Sequence, residues 1–211
     1  MKTDDLINTL AAGAGPAPRA VAARRLVPAV VAGGLASTLL AMFTLGLVPD
    51  LGAVGIALWV KLGYAAALAA AAGWLTSKLA RPVSHASKPA MLVVVVLVAM
   101  ALAGLSALLG APSGERVSHL MGQSWLRCPW AVLALSLPAL AATLAAMRSL
   151  APTRLRAAGL AAGLLAGATG AFIYAFACVE QSTAFIALWY TLGIGMSGAL
   201  GAALGPRVLR W

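Results

Sequence analysis

Charge is scarce in this 211-residue chain: only 9% of its residues are charged, and only five are acidic. A soluble domain covers its surface with roughly 25% charged residues. This chain has no such aqueous exterior along most of its length, so its solvent is read as lipid. Histidine and cysteine are nearly missing too, with two of each, which leaves few metal ligands and few nucleophiles. No Gly-rich phosphate loop, HExxH or GxSxG is present, so no catalytic set is visible, no enzyme is read, and no cofactor is called for. Ionisable groups inside the apolar runs, which mark transport paths, are almost absent. Lys61 is the only one, close enough to the end of its run to snorkel to the interface.

What is abundant is apolar sequence, 62% of the chain, arranged in runs of about twenty residues. A membrane must be crossed by helices or a closed barrel, because lipid offers the backbone no hydrogen bonds. A barrel would alternate apolar and polar residues over about ten positions. These Ala-, Leu- and Gly-rich runs do not, so the fold is all-α and polytopic, with six transmembrane helices. The expected spans run from about Leu26 to Val48, Ile56 to Ser77, Pro89 to Leu109, Pro129 to Met147, Ala157 to Ala177 and Ala184 to Leu204. The domain division is residues 1–25, a tail, and residues 26–211, the membrane domain. No inverted repeat of the transporter kind is visible.

The net charge of +10 sets topology rather than binding nucleic acid, since basic residues collect on the cytoplasmic side. With the N-terminus inside, the inner segments hold Lys2, Arg19, Arg24, Arg25, Lys78, Arg81, Lys88, Arg148, Arg154, Arg156, Arg207 and Arg210, and the outer ones only Lys61, Arg116 and Arg127. Six spans return the C-terminus to the same side, giving an N-in/C-in arrangement. Trp59, Tyr64, Trp125, Trp130, Trp189 and Tyr190 fall near the outer boundary as an aromatic belt, and Trp74 and Trp211 near the inner one.

The tail does not open like a secretory signal, because Asp4 and Asp5 sit where a positive region belongs. Thr3 can cap a short helix with both aspartates in its first turn, and Leu6, Ile7 and Leu10 then share a face. Gly13, Gly15, Pro16 and Pro18 end it in a spacer. Such a helix docks its apolar face into a partner's groove; the alternative is a disordered tail that assists insertion. Small residues recur every fourth position, at Gly159, Gly163 and Gly167 in the fifth span and at Ser197, Gly201 and Gly205 in the sixth. These ridges predict close packing within the molecule. Pro138 predicts a kink in the fourth span.

The histidines, His85 and His119, fall on opposite sides of the membrane and cannot share a metal. The cysteines, Cys128 at the start of the fourth span and Cys178 at the end of the fifth, fall at the same outer depth although fifty residues apart. Three readings stay open. They form a disulfide on an oxidising periplasmic face. They bind a soft metal or meet an oxidant as thiols, with Glu180 and His119 as further ligands. Or they serve as small apolar packing residues.

The opening Met1-Lys2-Thr3-Asp4-Asp5-Leu6-Ile7 resembles the start of the NrsF family of six-span inner-membrane anti-sigma factors. So do Trp125-Leu126-Arg127-Cys128-Pro129-Trp130, Arg148-Ser149-Leu150-Ala151-Pro152-Thr153, Cys178-Val179-Glu180, Phe185, and Trp189-Tyr190 before Gly193. The resemblance implies a bacterial inner-membrane protein that holds an extracytoplasmic-function sigma factor away from RNA polymerase. It assigns sigma binding to the tail (Lys2, Thr3, Asp4, Asp5 and Leu6), to which the helical face adds Ile7 and Leu10. It assigns signal response to Cys128 and Cys178. The partners are then the sigma factor and lipid, with no direct nucleic-acid contact. The basic segment from Arg148 to Arg156 adds sigma contacts or serves topology alone. The rival class is a small membrane transporter or channel subunit, which would depend on an interior polar group and not on Asp4 or Asp5.

Overall fold

A computed structural model describes residues 3–13, 21–46, 55–81 and 85–210. The expectations placed on Met1, Lys2, Gly15, Pro16, Pro18, Arg19, Val48 and Trp211 lie outside the described residues. The described chain is helical: α1 (Thr3–Gly13), α2 (Val21–Thr44), α3 (Ile56–Leu79), α4 (Ser87–Gly110), the short α5 (Arg116–Met121), α6 (Cys128–Arg148), α7 (Leu155–Tyr174) and α8 (Thr183–Val208). Six of these, all but α1 and α5, are long and apolar enough to cross a membrane. The all-α six-span expectation is met. The helix ends move by a few residues: α2 begins at Val21, so Arg24 and Arg25 lie on its exposed first turns rather than before it.

The centre of the bundle is α7, which packs against α2, α3, α6 and most extensively α8. In lipid, apolar side chains gain nothing by leaving the solvent, so close approach of backbones decides what is buried. The helix sequences sort accordingly. α4, rich in Val and Leu, has the highest mean hydropathy, 2.9, and mostly faces outward; α7, built from Gly and Ala, has 1.5 and is the most buried.

The expected small-residue ridges meet each other. A Cβ on Gly159 or Gly163 would collide with the backbone carbonyl of Gly201 or Ser197 respectively, and one on Gly205 with that of Leu155. Ser197 Oγ closes the seam by donating to the Gly163 carbonyl at 2.9 Å.

Consecutive helices are not always neighbours. α2 barely touches α3 and instead lies along α6. Pro138 accounts for part of this choice. Proline lacks an N–H and disrupts the helical ladder around it, and Gly33 of α2 sits on the backbone there, where a Cβ would come within 2.5 Å of the Ala139 Cα. Gly170 of α7 packs on the turn before the same stretch, over Val132 and Ser136. One segment inside α8, Ile186–Tyr190, is a π-helix, a form frequent at functional sites.

Candidate functional site

The helix ends opposite the tail carry a buried polar cluster. Cys128 opens α6, with Pro129 as the next residue, where the missing N–H costs nothing. Cys178 lies beyond α7, in the connection to α8. Their side chains are 0% and 2% exposed, and both are free thiols. The two thiols and Lys61 are close enough to interact electrostatically. Tyr174, at the end of α7, and Tyr190, in the π segment, stack at 5.7 Å between ring centres, and both interact with Cys178. The Tyr190 hydroxyl is buried without a hydrogen-bond partner.

Lys61 departs from the snorkelling expectation. It is 0% exposed, and its Nζ donates to the Cys178 carbonyl at 2.7 Å. A buried ammonium needs oxygen partners in place of water, and a carbonyl from the unwound end of α7 is one. Tyr64 and Tyr190 likewise leave the expected belt and turn inward; Tyr64 shares a 2.7 Å hydrogen bond with Thr191. Trp59 and Trp130 stay exposed, as belt residues should.

Glu180 ties down the loop that leads into Cys128. Its Oε1 accepts from Gln123 N at 2.7 Å, Ser124 N at 2.9 Å and Ser124 Oγ at 2.9 Å. This approach requires Gly122, whose φ of 55° favours glycine and whose Cβ would lie 2.6 Å from Glu180 Oε2. Trp189 adds a bond from Nε1 to the Leu120 carbonyl at 2.9 Å and packs on Trp125 at 5.5 Å. The proposed metal set does not assemble. Glu180 is engaged by the loop, His119 is on the surface 3.8 Å from Glu115, and no group of three His, Cys, Asp or Glu suited to a metal occurs among the described residues.

The tail residues form the expected short helix. α1 carries Asp4 and Asp5 in its first turn and buries none of its residues. Leu6, Ile7 and Leu10 are 42%, 57% and 66% exposed. Thr9 Oγ1 donates to the Asp5 carbonyl at 2.6 Å. By connectivity α1 and the cysteines lie at opposite ends of the bundle, so the two sets of site residues are not brought together. Sequence reasoning missed the engagement of Lys61, Tyr174 and Tyr190 around the thiols. The available signal was a lysine and two tyrosines set near the ends of apolar runs.

Comparison with known proteins identifies the family. A family model described as negative regulator of sigma F matches residues 10–211. A protein of Azospira oryzae named as a probable anti-sigma-F factor NrsF is 42% identical over 214 residues, covering all of both chains. The anti-sigma-F factor NrsF of Caulobacter vibrioides is 38% identical, again over the full length of both. No solved structure matches. The family match begins at Leu10, whereas the two relatives extend across the acidic first turn of α1 as well. On these matches the chain belongs to the NrsF family.

Proposed function

We propose that this protein is a membrane-bound anti-sigma factor that holds a sigma factor of the extracytoplasmic-function class through α1. The observation that carries the reading is an amphipathic helix that buries none of its residues among the described ones, in a chain aligned end to end with two proteins named as anti-sigma-F factors. Leu6, Ile7 and Leu10 act as apolar anchors, and Thr3, Asp4 and Asp5, with Lys2 ahead of them, meet the polar and basic rim of the partner's groove. The strong asymmetry of Lys and Arg supports both termini facing the cytoplasm of an inner-membrane protein.

The cysteine cluster is the sensing end in this reading. Both thiols are buried, so the signal is an agent small enough to enter, or one that first lifts the Glu180-bound loop. A change there alters how Lys61 and the end of α7 are held, and α7 touches most of the bundle. To move a population from 1:99 to 99:1 the signal must favour the releasing state by about 5.5 kcal/mol. The transporter alternative required an interior polar group on a path; Lys61 is interior, but its ammonium is bonded to the Cys178 carbonyl.

The test is a binding assay between the full chain in lipid nanodiscs and the sigma factor encoded beside it. Changing Asp4, Asp5 and Leu6 together to Ala abolishes binding if α1 is the site; undiminished binding overturns that assignment. Changing both Cys128 and Cys178 to Ser locks the output in cells, and normal induction in that variant overturns the sensing role.

A further inference from the structure

At the end of the bundle that carries α1, the first residues of α4 and α7 and the last turns of α3 leave a groove of about 670 Å³. Its floor is apolar, from Leu75, Leu79 and Leu160, and Arg81, His85 and Arg154 stand around it. No acidic residue among the described ones lines it. The chain has five side-chain carboxylates. Of the four that fall in the described residues, Glu115 and Glu180 belong to the cysteine end. Among the described residues, Asp4 and Asp5, in the first turn of α1, are therefore the only side-chain carboxylates the topology gives to the end where the basic groove opens.

We propose that this groove is an internal receptor for α1, whose docked state alternates with the exposed one seen in this structure. The two surfaces match in kind: an apolar floor under a basic rim, and a helix with Leu6, Ile7 and Leu10 on one face and Asp4 and Asp5 at its positive end. The reach is sufficient. From Gly13 to Val21 are eight Cα steps, which extend to about 27 Å at roughly 3.4 Å per residue. α2 adjoins α7, which adjoins α3, so the groove lies about two helix spacings away, roughly 20 Å.

The inference rests on the reading of α1 as the sigma-binding element, and it supplies the route of release. The groove is built from α3 and α7, and these are the helices whose far ends meet at Lys61 and Cys178. A rearrangement there that improves the groove draws α1 off the sigma factor by competition for one apolar face.

The test uses the full chain in nanodiscs with Ile7, and separately Leu10, replaced by the photoreactive p-benzoyl-phenylalanine, and crosslinked peptides read by mass spectrometry. Without sigma factor, crosslinks map to α3, α4 and α7 around Leu79 and Leu160. Arg81→Glu with Arg154→Glu lowers their yield about tenfold, as loss of two exposed ion pairs would. Adding Asp4→Arg and Asp5→Arg to that variant restores it. Crosslinks only to lipid or to a second copy, or a groove crosslink indifferent to both charge reversals, overturn the proposal. Added sigma factor removes the crosslink. Sigma factor that binds and leaves it in place overturns α1 as the sigma site, and the competition with it, while the docked helix stands.

Discussion

Lys61 Nζ donates to the Cys178 carbonyl at 2.7 Å, joining the first turns of α3 to the exit of α7 across 117 residues of sequence. The bond holds two antiparallel helices together at the depth of the thiols. Lys61→Met keeps most of the side-chain length and removes the donor. The Cys178 carbonyl then loses this partner, a loss that costs about 1–3 kcal/mol where an acceptor is left buried and unsatisfied. Unfolding of the detergent-solubilised protein in SDS measures this; an unchanged midpoint would show the bond to be idle.

Glu180→Ala should loosen the loop at 122–124 without unfolding the bundle. Hydrogen bonds to a charged acceptor contribute about 1.5–3 kcal/mol each, so amide exchange at Gln123 and Ser124 accelerates at least about tenfold. The same variant exposes the thiols. In the unaltered protein Cys128 and Cys178 resist a bulky maleimide, and in Glu180→Ala their labelling rate rises. Equal labelling rates would show that the loop is not their cover.

The seam between α7 and α8 predicts a sharp contrast between two glycines of one helix. Gly201→Ala places a methyl against the Gly159 carbonyl and should destabilise by about 1–3 kcal/mol, as overpacking does. Gly195→Ala meets nothing within 4 Å and should be neutral or slightly stabilising, up to about 1 kcal/mol from helix propensity. Thermal unfolding of the pair settles it; equal losses would mean that the seam tolerates separation.

Ala151, just before Pro152, has a φ of 49°, a left-handed conformation that costs a non-glycine residue about 1–2 kcal/mol. Ala151→Gly should relieve that strain and raise the unfolding midpoint, against a smaller entropic loss in the unfolded chain. A lowered midpoint would show that the turn is held by its side chain.

The spans were legible because about 30 Å of hydrocarbon demands some twenty apolar residues and admits few substitutes. The α7–α8 seam was legible for a similar reason: Gly159, Gly163 and Gly167 fall on one helical face and have no use there except close approach. The neighbour relations were not legible. In lipid the outward and inward faces are both apolar, so nothing in α2 announced that it would lie on α6 rather than on α3. Lys61 was misread because its partner is a backbone carbonyl, which leaves no trace in side-chain chemistry. The groove was invisible because Leu79, Ala90 and Leu160 come from three helices whose adjacency only the fold supplies.

The glycine seam also limits the kind of response the molecule can give. Its notches repeat every four residues, and between them stand backbone carbonyls that no side chain can pass. A slide of half a notch sets those carbonyls against the side chains that stand between the glycines, while a slide of four residues, about 6 Å at roughly 1.5 Å per residue, brings notch to notch again. Helices α7 and α8 are thus free to travel together or to jump by whole notches, and denied the positions between. Where the proposed sensing runs through this seam, its output is counted in steps, all or nothing per molecule, and a graded dose becomes a graded number of molecules that have jumped.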